Sequence, residues 1–226
     1  MAPMTIRLII VDDDPLVRAG LTLMLGGDDD LDIVGEGSDG RDVPELVARH
    51  APDVVLMDIR MPHVDGLTAT ELLRARPGAP EVVVLTTFHA DEQVLRALRA
   101  GAAGFVLKDT PPAEIVAAVR RVAAGDPVLS PAVTRQLMTH VAGRPEQPRR
   151  TTAADRLAAL ADRERQVAVA VGHGRSNAEI ATELYMSVPT VKTYVSRILA
   201  KLGLNNRVQI ALLVHDAGLL DGEDGA

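Results

Sequence analysis

The sequence predicts an α/β chain: a doubly wound, five-stranded parallel sheet followed by a small, wholly helical domain. Three observations carry that expectation. Short apolar runs alternate with helical patterns five times before residue 125, as strands alternate with crossover helices. Acids, a threonine and a lysine stand just past four of those runs. The last third of the chain lacks any strand pattern and sets a basic, hydroxyl-rich helix after a three-residue turn.

The strands come first. Ile6–Val11 runs into Asp12, Asp13 and Asp14, and a helix follows from Pro15 to about Leu25. Proline at a helix start loses an N–H that would have had no partner. A strand at Asp32–Gly35 leads to a helix near Val43–His50, where Pro44 is tolerable only in the first turn. Val54–Met57 ends at Asp58, and a helix spans about Gly66–Arg74. Val82–Leu85 ends at Thr86, before a helix near Asp91–Arg99. Gly104–Leu107 ends at Lys108, before a helix from about Pro112 to Ala124. Runs this apolar read as strands buried on both faces.

In such sheets ligands bind outside the carboxyl ends of the strands, where strand order reverses. The acids, the threonine and the lysine would therefore meet at one edge. Clustered carboxylates repel unless they share a cation or a proton. Hard oxygen donors suit a divalent ion such as Mg²⁺, and a lysine suits phosphate. That set of groups fits phosphoryl transfer to an acid.

Composition narrows the field. The 226 residues leave room for two domains. There is no cysteine, which excludes disulfides, thiol catalysis and cysteine-ligated zinc. Six histidines lie scattered without ligand spacing. No basic leader precedes a long apolar stretch, and no run reaches spanning length, so a soluble, cytoplasmic protein with no membrane partner is expected. The net charge of −7 is uneven: residues 1–142 hold 13 basic against 21 acidic side chains, and residues 149–226 hold 10 against 9. No acid lies between Glu183 and Asp216, a stretch that holds Lys192, Arg197, Lys201 and Arg207. Such asymmetry fits two domains with different partners.

Ser130 and Pro131 open a short helix to about Val141, and the proline- and arginine-rich Gly143–Thr152 reads as linker. Leu157–Val171 reads as one helix, ended by Gly172 and Gly174. Ser176 caps a short helix over Asn177–Leu184, and Ser187 caps a longer one over Val188–Leu202, stopped by Gly203. A last helix runs from about Arg207 to Ala217. A short helix, the turn Tyr185-Met186-Ser187 and a longer basic helix make a helix-turn-helix. The longer helix sets Val191, Val195, Ile198, Leu199 and Leu202 at core spacing; Thr190, Lys192, Thr193, Ser196, Arg197 and Lys201 fall on the other face. Cations suit phosphates, and polar tips suit base edges.

These residues together resemble a family. The paired acids, Asp58 within LMDIRMP, Thr86, Phe105 and Lys108 resemble a bacterial response-regulator receiver domain of the flavodoxin-like fold. SNAEIA and TVKTYVSRILAKLG resemble the output domain of the NarL/FixJ (LuxR-type helix-turn-helix) group. The resemblance implies a receiver over 1–126, a short helix and flexible linker over 127–156, and a DNA-binding domain over 157–226. It implies a two-component transcription regulator, not a substrate-directed enzyme. Asp58 would accept a phosphoryl group from a sensor histidine kinase. Asp12, Asp13, Asp58 and the Arg60 backbone carbonyl would hold Mg²⁺, and Lys108 would bind phosphoryl oxygens. Thr86 would bond one of them afterwards, letting Phe105 rotate inward. Lys192, Thr193 and Ser196 match positions that read double-stranded promoter DNA, with Thr190, Arg197 and Lys201 as backbone contacts. Val208, Ile210, Ala211, Leu212 and Val214 would form the surface of a phosphorylation-driven homodimer.

Some residues depart from the family. Asp14 adds negative charge where histidine or glutamine is common. Ala161 stands where threonine usually caps, with Asp162 a candidate to cap one residue later. Asp28–Asp30 reads as a solvated loop, and Thr87 beside Thr86 as a bystander. Gly35–Gly40 (GEGSDG) matches a dinucleotide fingerprint, but follows the second strand where the fingerprint belongs after the first. An aspartyl-phosphate phosphatase using Asp12 and Asp14 leaves the basic tail unexplained. A DNA-binding regulator gated by ligand or partner remains open.

Overall fold

The computed structural model describes residues 5–76, 78–86, 91–129 and 147–220, without the side chains of 91–95 and 147–150. The predicted helix over 130–141, residues 143–146 of the predicted linker, and Thr87 lie outside that range. The chain divides into two compact units, split between Gln136 and Leu137.

In the first unit β1 (Ile6–Val11), β2 (Leu31–Gly37), β3 (Val54–Asp58), β4 (Glu81–Thr86) and β5 (Gly104–Leu107) alternate with helices. These are α1 (Pro15–Leu25), α2 (Val43–His50), α3 (Gly66–Arg74), α4 (Asp91–Ala100) and α5 (Pro112–Ala124). The sheet is parallel, in the order β2-β1-β3-β4-β5-β6. It has six strands, not the expected five: β6 (Val128–Leu129) pairs with Gly104 and Phe105. Gly125, at φ 90°, ends α5 and turns the chain back, and Val128 N–H donates to the Ala103 carbonyl at 3.0 Å. Two residues are too short to leave an apolar run in the sequence.

Leu8–Val11 and Val54–Met57 are sealed from solvent, each such side chain stabilising the fold by about 1.5–3 kcal/mol. Leu8, Ile10, Leu56, Val83 and Leu85 pack with Leu25, Ile115 and Val119 of α1 and α5. By strand alternation Ile9, Val55, Met57 and Val84 line the opposite face. Pro44 sits in the first turn of α2, as required. Asp14 caps α1, accepting from Leu16 N–H at 2.8 Å. Asp28 and Asp30 are not a free solvated run: both pair with Arg120 of α5.

The second unit contains α6 (Gln147–Ala158), α7 (Asp162–Gly172), α8 (Asn177–Glu183), α9 (Val188–Leu202) and α10 (Arg207–Asp216). Two expectations need correction. Residues 147–152 are helical rather than linker, and α6 buries Ala153 and Leu157 in the helical core. Its first turns bear polar QPRRTT, so no apolar period betrays them. The expected single helix over 157–171 is broken at Ala161, whose backbone is extended (φ −67°, ψ 158°). Ala161 makes no side-chain cap, and Asp162 is the first helical residue rather than a substitute cap. Glu164 instead accepts from Ala161 N–H at 3.0 Å.

Both serine caps form: Ser176 accepts from Glu179 N–H and Ser187 from Thr190 N–H. Val191, Ile198 and Leu202 of α9 are buried, with Val195 and Leu199 packed beside them. Among the described residues, no helix is long and apolar enough to cross a membrane.

Candidate functional site

Strand order reverses at β1 and β3, and the acids end these neighbouring strands. Asp12 follows β1 and has no accessible surface; Asp58 ends β3 and is nearly as covered. Asp12 N–H donates to the Gly37 carbonyl at 3.1 Å, and its Oδ1 accepts from Asp14 N–H at 3.0 Å. Asp58 Oδ2 accepts from Arg60 N–H at 3.1 Å. Asp13 is exposed beside them, and one ligand atom from each of the three acids falls within 4.8 Å of the others.

Lys108 reaches across the sheet edge. Its Nζ lies 2.5 Å from Asp12 Oδ2 and 2.9 Å from Asp58 Oδ1. The contact to Asp12 is an ion pair, and Lys108 is the cation facing the buried Asp12 Oδ2. Lys108 N–H donates to the Thr86 carbonyl at 2.8 Å, joining the ends of β4 and β5. Burial pushes the Asp58 carboxyl pKa up, and the Asp12 charge adds to it, outweighing Lys108. Burial also opposes the Lys108 charge, but its two carboxylate partners prevail and raise its pKa. One lysine thus leaves the three acids undercompensated. Three carboxylates sharing one lysine, two of them buried, are a hard oxygen donor set that fits a divalent cation.

Thr86 and Phe105 are both buried at the same side of the sheet, at the end of β4 and within β5. The ring is therefore already inside the fold in this conformation. Beside the acids an open cavity of about 450 Å³ is lined by Asp13, Arg60, Met61, Pro62, Leu67 and Arg96, among others. Met57 and Met61 are packing residues, both buried.

The glycine-rich segment has a structural explanation. A Cβ on Gly40 would lie 2.6 Å from the Val64 carbonyl oxygen, and one on Gly37 would lie 2.9 Å from Leu46 Cδ1. These glycines admit close packing against the loop after β3 and against α2. Asp39, between them, was missed by the sequence reading. Its buried carboxylate accepts from Arg41 N–H (3.1 Å), Arg41 Nε (3.0 Å), His63 N–H (3.0 Å) and Val64 N–H (3.3 Å). Covering the group pushes its pKa up, yet these donors reverse the effect and hold it at about 2. The sequence signal was an Asp-Gly pair just before a helix.

In the second unit Thr190, Lys192, Thr193, Ser196, Arg197 and Lys201 all lie on the exposed face of α9. Thr193 and Ser196 hydroxyls donate to the carbonyls of Pro189 and Lys192, both at 3.0 Å, and Thr190 Oγ1 meets Ser187 Oγ at 2.7 Å. Lys201 is tied to Glu164 at 2.6 Å. Arg207 is buried, donating to Asn177 Oδ1 at 2.6 Å and to the Arg175 carbonyl. It belongs to the domain's frame rather than to a basic surface. The expected dimer face of the last helix also needs correction. Val208, Ile210 and Val214 are buried within their own domain, leaving Ala211 and Leu212 half-exposed.

A parallel sheet with acids and a lysine at its carboxyl edge, joined in one chain to a helix-turn-helix, defines a receiver-and-output class of regulator. The family description "Response regulator receiver domain" matches residues 8–120, and "Bacterial regulatory proteins, luxR family" matches residues 158–214. The chain is similar to the transcriptional regulatory protein LiaR of Bacillus subtilis, 34% identical over 93% of this chain and 97% of that protein. It is also similar to the DNA-binding transcriptional activator DevR/DosR of Mycobacterium tuberculosis, 36% identical over 93% and 94%. Among solved structures it resembles the response regulator ChrA of a heme-sensing two-component system: 36% identity, 96% and 99% coverage, TM-score 0.52. The chain belongs to the LuxR-family response regulators and is a transcription regulator with a receiver and a DNA-binding domain.

Proposed function

We propose that this regulator is switched by phosphorylation of Asp58 by a sensor histidine kinase. The single observation that carries the reading is the acidic cluster of Asp12, Asp13 and Asp58 bridged by Lys108. Asp12, Asp13, Asp58 and the Arg60 carbonyl would hold Mg²⁺, which when bound would offset charge on the phosphoryl oxygens. An Asp58 carboxylate oxygen forms the new bond to phosphorus as the bond to the donor's histidine nitrogen breaks, its electron pair leaving with the imidazole. Such transfer needs little beyond positioning and charge compensation. Lys108 exchanges its hold on the bare Asp58 carboxylate for a phosphoryl oxygen. Thr86 offers its hydroxyl to another, with Phe105 packed behind it. Any dephosphorylation is water attack at this same site, so the protein is not an enzyme with a substrate of its own.

The output face of α9 would bind double-stranded promoter DNA through Lys192, Thr193 and Ser196 at base edges, with Thr190 and Arg197 at phosphates. Lys201 would reach a phosphate from its pair with Glu164. The target is promoter DNA, so the working compartment is the cytoplasm. New charge-assisted bonds at Asp58 need only about 1.4 kcal/mol of differential stabilisation for a tenfold shift toward the active homodimer. Sedimentation and DNA retention in Mg²⁺, with and without beryllofluoride as the phosphoryl mimic, test this. Dimerisation with tighter DNA binding supports phosphorylation gating. Equal DNA binding in both states would transfer control to a ligand or partner.

A further inference from the structure

Asp39 lies outside the acidic cluster, and none of the roles above uses it. Its carboxylate takes two groups of donors. Arg41 N–H and Nε belong to its own turn, while His63 and Val64 N–H belong to the loop that leaves Asp58 and carries Arg60. The same loop is fastened elsewhere. Gly40 N–H donates to the Val64 carbonyl at 3.2 Å, and Gly66 N–H to the Ile59 carbonyl at 2.9 Å. A Cβ on Gly66 would lie 1.8 Å from the Asp58 carbonyl oxygen, so the start of α3 rests directly on the end of β3.

Arg60 therefore sits between one anchor at Gly66 and another at Asp39. A backbone carbonyl has no rotamer of its own and can be aimed only by its loop. Groups that hold a metal ligand in place contribute to affinity without touching the ion. We propose that Asp39 is a positioning residue for the acidic site, clamping the loop after β3 so that the Arg60 carbonyl and Asp58 carboxylate present a divalent-cation geometry. The inference rests on the Mg²⁺ reading of that site. Both carboxylate oxygens are used: Oδ1 accepts from Arg41 and Val64, and Oδ2 from His63.

Calorimetric Mg²⁺ titration of the full chain tests the clamp, with thermal melting run in parallel on wild type, Asp39→Ala, Asp39→Asn and Val122→Ala. Val122 is sealed in the core on α5 and serves as a destabilised control outside the site. Asp39→Ala should weaken Mg²⁺ binding about tenfold or more, while Val122→Ala melts earlier with unchanged affinity. If Asp39→Ala does not fold, Asp39→Asn decides: it keeps one acceptor oxygen and should bind Mg²⁺ less tightly than wild type. Wild-type affinity in a folded Asp39 variant overturns the proposal. A wild type that takes up no Mg²⁺ removes the functional reading and the clamp with it.

Discussion

At the carboxyl edge of the sheet, two covered carboxylates, an exposed third and one lysine crowd together. Along α9, hydroxyls and cations stand in the open, with Thr193 and Ser196 bonded to carbonyls of their own helix. The two regions use charge in opposite ways. Burial makes each charge at the sheet edge costly, so a bound cation or phosphoryl group has a large effect on the local balance. Exposure makes the charges on α9 inexpensive to keep, so their energy appears only against a partner. A covered site can therefore be judged from its internal geometry, and an open face only by binding.

The largest effect should come from Asp58→Asn. It should abolish acid-labile labelling by acetyl phosphate, and persistent label would move the phosphoacceptor elsewhere. The same variant should melt higher than wild type at neutral pH without Mg²⁺. Asp58 has a raised pKa in the folded state, so its stabilising contribution is full below the unfolded value and lost as pH rises through the folded one. A neutral isostere escapes that loss. A lower melting temperature would mean that the bond to Lys108 outweighs the repulsion from Asp12.

Next in size is the division among the cations of α9. Lys192→Ala should weaken specific DNA binding by about 1–3 kcal/mol. Lys201→Ala should chiefly lower the melting temperature, at a cost of about 1 kcal/mol or less in stability, because it removes the cation paired with Glu164. Equal DNA losses with equal melting would erase the distinction between framework and contact cations.

Acid titration should bring out the opposite sign at Asp39. Its pKa of about 2 lies below the ordinary 3.8, so its contribution is present above pH 3.8 and lost as pH falls toward 2. Asp39→Asn should flatten the stability curve in that window. A curve as steep as wild type would assign the acid loss to other carboxylates.

The smallest effect concerns Tyr185, which has φ 54° and is 97% exposed. Left-handed backbone costs a non-glycine residue about 1–2 kcal/mol, and glycine's added unfolded-state entropy returns about 0.5–1 kcal/mol. Tyr185→Gly should therefore stabilise the second unit by about 0.5 kcal/mol in a melting experiment. Destabilisation would show that the ring has packing value despite its exposure.

Much of this was legible in the sequence. Strands buried on both faces leave continuous apolar runs, and Ser176 and Ser187 mark helix starts through local bonds. The acids and Lys108 were legible because each stands immediately past such a run. What escaped shares a cause. β6 is too short for a pattern, and the polar QPRRTT sequence that opens α6 offers no apolar period to read. Arg120 meets Asp28 and Asp30, and Arg207 meets Asn177, across long stretches of chain. Periodicity does not report pairings of that kind. The resemblance placed a dimer surface on α10, but most of the residues it named face inward, and residue type alone does not say what covers an apolar side chain.

The sequence by itself determined the parallel sheet, the helix-turn-helix, and the residue types gathered at each. Hydrophobic period, capping and strand ends are local properties, read without knowing the neighbours. The tertiary structure alone decided which charges are spent inside the fold. Lys201 is committed to Glu164, Arg207 to the entry of α8, and Asp39 to the loop after Asp58. Those commitments depend on hydrogen-bond partners and solvent exclusion, which exist only once distant segments of chain have met.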